Sequence, residues 1–268
     1  MIKNRFLKKR FFIFYLFCYY YHMKIAIIGF GKFGRALADI LTKNNDNQIL
    51  AWDIAKIDDY RWRSNRSEVI NGADFIFFAV PSAFFSQAVV DIENIPQNAI
   101  LISGTKGVDA HTGKFPYEVL QTAFPQNTVA VLGGPMLASE LAEGKMTAAD
   151  IAVKHFDDFQ KIEALFQNTN LSVGYCNDLL GVSLSGVLKN IYTLLFGLSD
   201  GLSLGANFKA CLVRNAIQEM SRIIEVLGGD RETVFGYAAI GDLLATGYSD
   251  LSRNYRFGYS FANGKNMD

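Results

Sequence analysis

The stretch KIAIIGFGKFG, residues 24–34, is the part of the sequence that most clearly indicates the fold of this chain. Its first half is a short, wholly apolar run, which is typical of a parallel strand buried on both faces of a sheet. Its second half has the spacing Gly-x-Gly-x-x-Gly and leads into RALADILTK (35–43), where apolar residues recur at helical spacing. The stretch therefore predicts a strand, a glycine turn and a helix in immediate succession.

Three glycines give this motif its mechanism. Gly29 permits a tight turn, Gly31 lets the backbone approach a pyrophosphate, and Gly34 lets the helix pack close to the sheet. Lys32 and Phe33 lie between them at the helix N-terminus, whose dipole attracts phosphate charge. We therefore predict that this loop binds a dinucleotide.

The same alternation continues along the first two thirds of the chain. Further strands are predicted over 48–53, 74–80, 99–103, 128–133, 151–155 and 171–175, with helical patterns between most of them. After about residue 178 the pattern is helical, with long stretches over 182–198 and 209–229. We predict an α/β fold, in which a Rossmann-type doubly wound parallel sheet (23–178) precedes an all-helical domain (179–268), with a site in the crevice between them.

The composition narrows the class of function. The 268 residues include 26 Lys plus Arg and 26 Asp plus Glu, so the formal net charge is zero. We therefore expect neither nucleic acid nor a membrane as a stable partner, while a homodimer stays open. The 3 cysteines and 3 histidines are scattered without metal-ligand spacing. We expect no metal, no disulfide framework and a cytoplasmic location.

Residues 1–22 differ from the rest of the chain. Basic residues in the first ten positions precede the aromatic run FFIFYLFCYYY (11–21). This run is shorter than the ~20 residues that span a bilayer, and no small-residue cleavage site follows it. Because Met23 directly begins the first strand, we interpret residues 1–22 as an extension from a misassigned start. A membrane anchor and a secretion signal are the alternatives.

Asp53 stands 19 positions after Gly34, where the second predicted strand ends. An acid there can bind the ribose hydroxyls of NAD and repel the additional phosphate of NADP. The alternative is an ordinary strand-end Asp that caps the next turn. Arg61 and Arg63 follow closely and offer positive charge to NADP. The sequence favours NAD as cofactor and leaves NADP open.

Three further strand ends carry candidate site residues. Pro81 follows one strand in AVPS, Lys106 follows another in GTKG, and Gly134 follows a third in GGP. Ligands of open α/β sheets bind beyond the carboxyl ends of the strands, so Lys106 would direct a cation toward the ligand. The alternative for Lys106 is a solvated loop lysine.

Lys189 and Asn190 lie inside the apolar stretch 182–198. A lysine there must be paired, or must reach solvent along its alkyl chain. Partial burial lowers the pKa of a lysine, which suits it to proton transfer near neutral pH. The sequence leaves two interpretations of Lys189 open: a functional lysine, or a lysine whose side chain reaches solvent.

A last group follows in the helical part: Asp242 in GDL, Thr246, and the run Ser252-Arg253-Asn254. In this run an arginine stands between a hydroxyl and an amide, which makes a clamp for phosphate or carboxylate. The alternative is that Ser252 caps a helix and Arg253 faces solvent.

Taken in this order, the motifs resemble the bacterial-type glycerol-3-phosphate dehydrogenases. The resemblance runs from about Met23 to Gly258 and is carried by IGFGKFG, AVPS, GTKG, GGPMLASE, LSGVLKNIYTLLFGLSDGL, GANFKACLVRNAIQEMSRI and GDLLATGYSDLSRN. The separations of LKN, GDL and SRN are more specific than the glycine motif. The resemblance implies hydride transfer between NAD(P)H and dihydroxyacetone phosphate, a small phosphate substrate, to give sn-glycerol 3-phosphate for phospholipid synthesis.

The resemblance also implies roles for these residues. Lys189 is the acid/base that protonates the carbonyl oxygen, and Lys106 contacts both cofactor and substrate. Asp242, with Asn190 and Thr246, orders Lys189 and the substrate hydroxyls.

Ser252, Arg253 and Asn254 form the implied substrate-phosphate group, with Arg253 as its main charge. The implied cofactor contacts are Gly29, Gly31, Lys32, Phe33, Gly34, Asp53, Pro81, Lys106, Gly134, Ala138 and Arg253.

The chain departs from the family pattern in three places. Met136 stands where a small hydroxyl residue is usual, and Asp53 replaces basic residues that many relatives carry. The chain also ends at Asp268, whereas relatives continue, so we expect the helical domain to be incomplete. The alternatives are a truncated, non-catalytic NAD-binding protein and a related 3-hydroxyacid or ketopantoate reductase.

Overall fold

The structure, a computed structural model, describes residues 23–43 and 47–264. The extension predicted over 1–22 and the last four residues of the predicted helical domain lie outside the described residues. The described chain forms a seven-stranded sheet followed by a group of helices.

The sheet has the strand order β2-β1-β3-β4-β5-β6-β7. The strands are β1 (Lys24–Ile28), β2 (Gln48–Trp52), β3 (Phe75–Phe78), β4 (Ile100–Ser103), β5 (Val129–Gly133), β6 (Thr147–Val153) and β7 (Leu171–Cys176). Strand β1 lies between β2 and β3, and all neighbours from β2 to β5 are parallel. This confirms the Rossmann-type sheet.

At strand β6 the observed sheet differs from the predicted sheet in two respects. It begins at Thr147 rather than at residue 151, and it runs antiparallel to β5. The residues between β5 and β6 include only a five-residue helix, too short to carry the chain across the face of the sheet. The chain therefore turns back at the carboxyl edge, where β6 starts. Strand β7 pairs with β6 in parallel.

Ten α-helices lie within the described residues. They are α1 (Lys32–Thr42), α2 (Arg66–Ile70), α3 (Phe85–Val90), α4 (Pro116–Ala123), α5 (Ala138–Ala142), α6 (Phe156–Leu165), α7 (Leu179–Gly201), α8 (Gly205–Val226), α9 (Asp242–Gly247) and α10 (Arg253–Ala262). Short 3₁₀ helices cover Ser82–Phe84 and Arg231–Phe235, and a π-helical turn covers Tyr237–Gly241.

The core follows from the two faces of the apolar strands. Ile25 and Ile27 of β1 pack on one side in a cluster with Leu37 and Leu41 of α1. Alternate residues such as Ile28 pack on the other side, in a cluster that also holds residues of α2, α3 and α4. Because both faces are covered, the central strands are apolar along their whole length.

The helical part is built around α7. Glycines let α10 approach it closely, because a Cβ on Gly197 would lie 2.0 Å from the Tyr255 carbonyl oxygen and one on Gly258 would lie 2.0 Å from the Leu194 carbonyl oxygen. Within the described residues, α7 alone has the length and hydropathy of a membrane-crossing helix, and half of its most apolar window is buried inside the protein. That burial is typical of a core helix.

Candidate active site

The glycine loop has the geometry that a bound pyrophosphate requires. Gly29 has a φ of +94°, and a Cβ there would lie 2.7 Å from the Ala79 backbone; a Cβ on Gly34 would lie 2.1 Å from the Gly29 carbonyl oxygen. Gly31 has open space around it. No side chain caps α1, and its first backbone hydrogen bond comes from the Arg35 amide to the Gly31 carbonyl. The backbone amides of residues 32–34, which precede Arg35, therefore have no partner within the helix. They can bind phosphate oxygens, so the loop fits a dinucleotide.

Two of the predicted cofactor residues in this loop differ in exposure. Lys32, the first residue of α1, is exposed, whereas Phe33 is half-buried. The Phe33 ring packs so tightly on Gly104 that a Cβ there would lie 2.7 Å from it. Phe33 thus joins the glycine loop to the loop that carries Lys106.

Asp53 lies directly after β2 and reaches back to the glycine loop. One carboxylate oxygen accepts the Phe30 amide at 2.7 Å, and the other accepts the Ala55 amide at 3.0 Å. The carboxylate therefore both caps the next turn, as the alternative interpretation proposed, and lies beside the dinucleotide loop.

The two nearby arginines are engaged by other groups. The buried Arg61 guanidinium contacts the carboxylates of Asp39 at 2.8 Å and Asp59 at 2.7 Å, and it lies over the Phe30 ring at 5.5 Å. Its hydrogen bond with Asp59 raises the pKa of Arg61 further above its usual range. Arg63 donates to two backbone carbonyls and contacts Glu68 at 3.3 Å.

Lys106, Lys189 and Asp242 meet at the carboxyl edge of the sheet. Lys106 Nζ donates to the Gly134 carbonyl oxygen at 2.9 Å and to the Asp242 carboxylate. Lys189 Nζ lies 3.4 Å from the same carboxylate. Both lysines are thus paired with one acid, although 136 positions separate Lys106 from Asp242.

Lys189 is a buried lysine with a lowered pKa. It is 7% exposed, and its ammonium meets Asp242, which is 1% exposed, rather than reaching solvent. Burial, followed by the charge of Lys106, lowers the pKa of Lys189 to about 8, while Asp242 opposes this shift. A group with such a pKa can donate or accept a proton near neutral pH.

The hydroxyl of Thr246 secures the helix that carries Asp242. It donates to the Asp242 carbonyl oxygen at 2.6 Å and lies 3.0 Å from the Thr193 hydroxyl. Thr193 in turn donates to the Lys189 carbonyl oxygen at 2.8 Å. The structure therefore places Thr246 beneath the two charged residues, where it joins α9 to α7.

Asn190 and Asn254 meet where α7 and α10 approach. The side-chain amide of Asn254 donates to the side-chain oxygen Oδ1 of Asn190 at 2.9 Å. Ser252 caps α10 by accepting the Tyr255 amide at 3.4 Å. Arg253 is exposed at the first position of α10, and no ion pair joins it to another described residue. The close helix packing thus brings Asn254, one of the predicted phosphate-binding residues, to Asn190, which follows Lys189 in α7.

The remaining predicted cofactor residues also lie at this edge. Pro81 follows β3 and precedes a 3₁₀ helix, and the neighbouring Val80 carbonyl accepts the Thr105 hydroxyl at 2.7 Å. Gly134 has a φ of +156°, and a Cβ there would lie 2.8 Å from Ala149. Ala138 is half-buried at the start of α5. Among the residues of the described ranges, no cluster suits a metal ion.

Comparison with known proteins identifies the family. The family described as "NAD-dependent glycerol-3-phosphate dehydrogenase N-terminus" matches residues 58–158, and the corresponding "C-terminus" family matches residues 178–268. The protein named "Glycerol-3-phosphate dehydrogenase [NAD(P)+]" from a Synechocystis species is 34% identical, over 91% of this chain and 76% of the relative. The chain belongs to the NAD-dependent glycerol-3-phosphate dehydrogenase family.

Further members of this family agree with that assignment. A relative of the same name from Agrobacterium fabrum is 31% identical over 91% of this chain and 81% of its own length. The crystal structure of glycerol-3-phosphate dehydrogenase from Coxiella burnetii superimposes with a TM-score of 0.81 at 29% identity, and covers 91% of this chain and 81% of that chain. The observed fold is therefore the fold of the family.

Two buried carboxylates, Asp109 and Asp150, lie outside the set of residues predicted from the sequence. Asp109 is buried behind the Lys106 loop and accepts the Ser86 amide at 2.9 Å and the Thr112 amide at 2.8 Å. Burial raises the pKa of Asp109, but these hydrogen bonds outweigh it and hold the pKa well below its usual range. Asp150 is buried within β6. An acid inside the apolar run TAADIAV was the available signal for it.

Proposed function

We propose that this chain catalyses reversible hydride transfer between NAD(H) and the pair dihydroxyacetone phosphate and sn-glycerol 3-phosphate. The observation that carries the proposal is the cluster of the buried Lys189 and Asp242 with the half-buried Lys106 beside a dinucleotide loop. Family membership supports the same reaction. The product supplies the glycerol phosphate of phospholipids.

Lys189 performs the proton transfer in this proposal. The reduced nicotinamide supplies the hydride when it is bound. The Lys189 ammonium donates a proton to the carbonyl oxygen of the substrate, and in the reverse direction the neutral amine accepts that proton. Asp242 holds the ammonium in place, and Lys106 adds a second positive charge toward the developing alkoxide. Lys189 and Asp242 are buried, so water screens their charges poorly.

The substrate phosphate binds at the start of α10. Arg253 offers an exposed guanidinium there, and Asn254 and the N-terminus of the helix add donors. Asn190 orients Asn254 through their mutual hydrogen bond. This arrangement supports selection of dihydroxyacetone phosphate over unphosphorylated dihydroxyacetone.

The cofactor preferred by this chain is NAD rather than NADP. Asp53 supplies a negative charge beside the loop, where the additional phosphate of NADP would be repelled. Arg61 and Arg63, the cations nearest in sequence, are already paired with carboxylates of the chain. Neither arginine therefore offers an unpaired guanidinium to the additional phosphate of NADP.

Location and domain limits complete the proposal. Cys176 and Cys211 are free within the described residues, which is compatible with a reducing cytoplasm. We assign the dinucleotide domain to residues 23–178 and the substrate domain to residues 179–268. Strand β7 ends at Cys176 and α7 begins at Leu179. The proposed assembly of the chain is a homodimer.

The test is turnover by the purified full chain. Oxidation of NADH is followed by absorbance with dihydroxyacetone phosphate, and then with unphosphorylated dihydroxyacetone as the matched control. We expect turnover with the phosphate ester only, and faster turnover with NADH than with NADPH. NADH binding without turnover would contradict the proposal and indicate a non-catalytic NAD-binding protein.

A further inference from the structure

Asp150 lies in a slot across the sheet, on the side where the helical part packs. Its neighbours in the adjacent strands are both glycines, Gly133 of β5 and Gly174 of β7. The chain segment that precedes Asp242 fills this slot: a Cβ on Gly133 would lie 2.9 Å from the Ala238 Cβ, and a Cβ on Gly174 would lie 3.6 Å from the Tyr237 ring. The absence of side chains on both sides of Asp150 therefore lets this segment lie against the sheet.

The Asp150 carboxylate binds the backbone of that segment. Its Oδ2 accepts the Ala238 amide at 2.7 Å. The fit is tight, because a Cβ on Gly236 would lie 2.5 Å from the same oxygen. The amide it holds belongs to the π-helical turn Tyr237–Gly241, which ends at Asp242. Turns of this kind are uncommon and often occur at functional sites.

A second carboxylate fixes the other end of the same connection. Asp178 accepts the Asp230 amide and the Thr233 hydroxyl, each at 2.8 Å. Asp178 therefore holds the 3₁₀ helix that begins at Arg231, whereas Asp150 holds the turn that leads directly into Asp242. The two acids have different positions along the path to the active site.

We propose that Asp150 is a positioning residue, which clamps the π-helical turn to the sheet and thereby sets the carboxylate of Asp242 between Lys106 and Lys189. This role depends on the proposed function for its catalytic consequence. Burial raises the pKa of Asp150, and the Ala238 and Tyr237 amides oppose that shift. Other titratable groups on this side of the sheet include Cys176, Asp178, Tyr117 and Tyr237.

The effect of Asp150 can be measured on Lys189 without turnover. Asp242 and Lys106 are the charged groups that act on Lys189, and of these Asp242 raises its pKa. If the turn is released, Asp242 moves away and the pKa of Lys189 falls below its value of about 8. The pKa is read from the NMR titration of ¹³C-labelled lysines, assigned with Lys189→Met.

Two variants break the contact from opposite sides. Asp150→Ala removes the acceptor, and Gly236→Ala inserts a methyl group that displaces either the carboxylate or the turn. Gly236 has a φ of −76°, which alanine adopts without strain. We expect both variants to lower the pKa of Lys189, speed hydrogen exchange at the amides of 236–242, and lower kcat about tenfold. Asp150→Asn keeps one acceptor oxygen for Ala238, and we expect it to restore most of the loss.

The control is Asn127→Ala, which removes a half-buried side chain that also holds backbone groups in place. Asn127 donates to the carbonyls of Pro96 and Ala99, each at 2.9 Å, at the opposite edge of the sheet. We expect a lower melting temperature and an unchanged Lys189 titration. Wild-type Lys189 titration in both Asp150→Ala and Gly236→Ala would overturn the inference. Absence of turnover in the wild-type chain would instead refute the proposed function, while the titration still decides the role of Asp150.

Discussion

The two halves of the proposed active site are built by opposite means. The cofactor half, around residues 29–34, depends on missing side chains, because Gly29, Gly31 and Gly34 each leave room for backbone or ligand. The proton-transfer half depends on three charged side chains, Lys106, Lys189 and Asp242. In the first half the interacting groups are backbone amides, whose positions follow from local geometry. In the second half, burial gives the charges their strength.

This difference teaches where each half is vulnerable. An added methyl group damages the glycine loop, whereas removal of a charge damages the lysine–aspartate cluster. A buried acid that loses its partner lysine retains the cost of desolvation, so the cluster depends on all of its members.

Lys189→Met should have the largest effect, because methionine keeps the length of the side chain and removes the transferable proton. We expect kcat to fall by about 10²–10⁴-fold, with NADH affinity close to that of the wild type. Steady-state kinetics and fluorescence titration with NADH measure the two quantities. Lys161→Met, on the surface of α6, is the control and should keep full activity. Retained turnover in Lys189→Met would remove Lys189 from the acid/base role.

Two alanine substitutions separate packing from ligand approach in the glycine loop. Gly34→Ala places a methyl group 2.1 Å from the Gly29 carbonyl oxygen, and we expect it to cost about 1–3 kcal/mol of stability. Gly31→Ala meets no protein atom, so its melting temperature should be unchanged while the NADH dissociation constant rises about tenfold. Thermal unfolding and NADH titration make the comparison. Equal NADH affinity in Gly31→Ala and the wild type would contradict our placement of the pyrophosphate.

The pH profile should show the titration of Lys189. Reduction of the ketone needs the protonated ammonium, so kcat/KM for reduction should fall as pH rises through the Lys189 pKa of about 8. Oxidation needs the neutral amine and should show the opposite trend. Because Asp242 raises the pKa of Lys189, Asp242→Asn should move this limb to lower pH. An unchanged limb in Asp242→Asn would mean that another group controls it.

Asp53→Ser should have the smallest effect, because it changes the choice of cofactor rather than the chemistry. Loss of the negative charge should lower the ratio of kcat/KM for NADH over NADPH by about tenfold. The substitution also removes the hydrogen bond that the Phe30 amide donates to Asp53 at 2.7 Å, and the loss of this bond contributes to the change in the ratio. Asp91→Ser, at the end of α3, is the control and should leave the ratio unchanged. A ratio unaltered by Asp53→Ser would show that other groups select the cofactor.

Much of the sheet could be predicted because its signals are local. The apolar runs located every strand, and the glycine spacing located the turn before α1. The reversal of β6 was not predictable in this way, because strand direction depends on whether the intervening chain crosses the sheet. The π-helical turn before Asp242 was also not predictable, since its contact with Asp150 joins residues 88 positions apart in the chain.

The candidate residues and the family resemblance can be read from the amino-acid sequence alone. The order of the glycine loop, Lys106, Lys189, Asp242 and Arg253 is visible along the chain, because each stands in a short motif with its own chemistry. Whether Lys189 was paired or reached solvent stayed open, since a hydropathy pattern carries no information about its partner.

The sharing of one carboxylate by two lysines is visible only in the folded chain. The Lys189 and Asp242 side chains meet across 53 positions, and the carbonyl of Gly134 adds a further acceptor for Lys106. Burial sets the pKa of Lys189, and burial is a property of the packed helices and sheet rather than of any one segment. The motifs thus specify which groups are available, and packing specifies how strongly they act on one another.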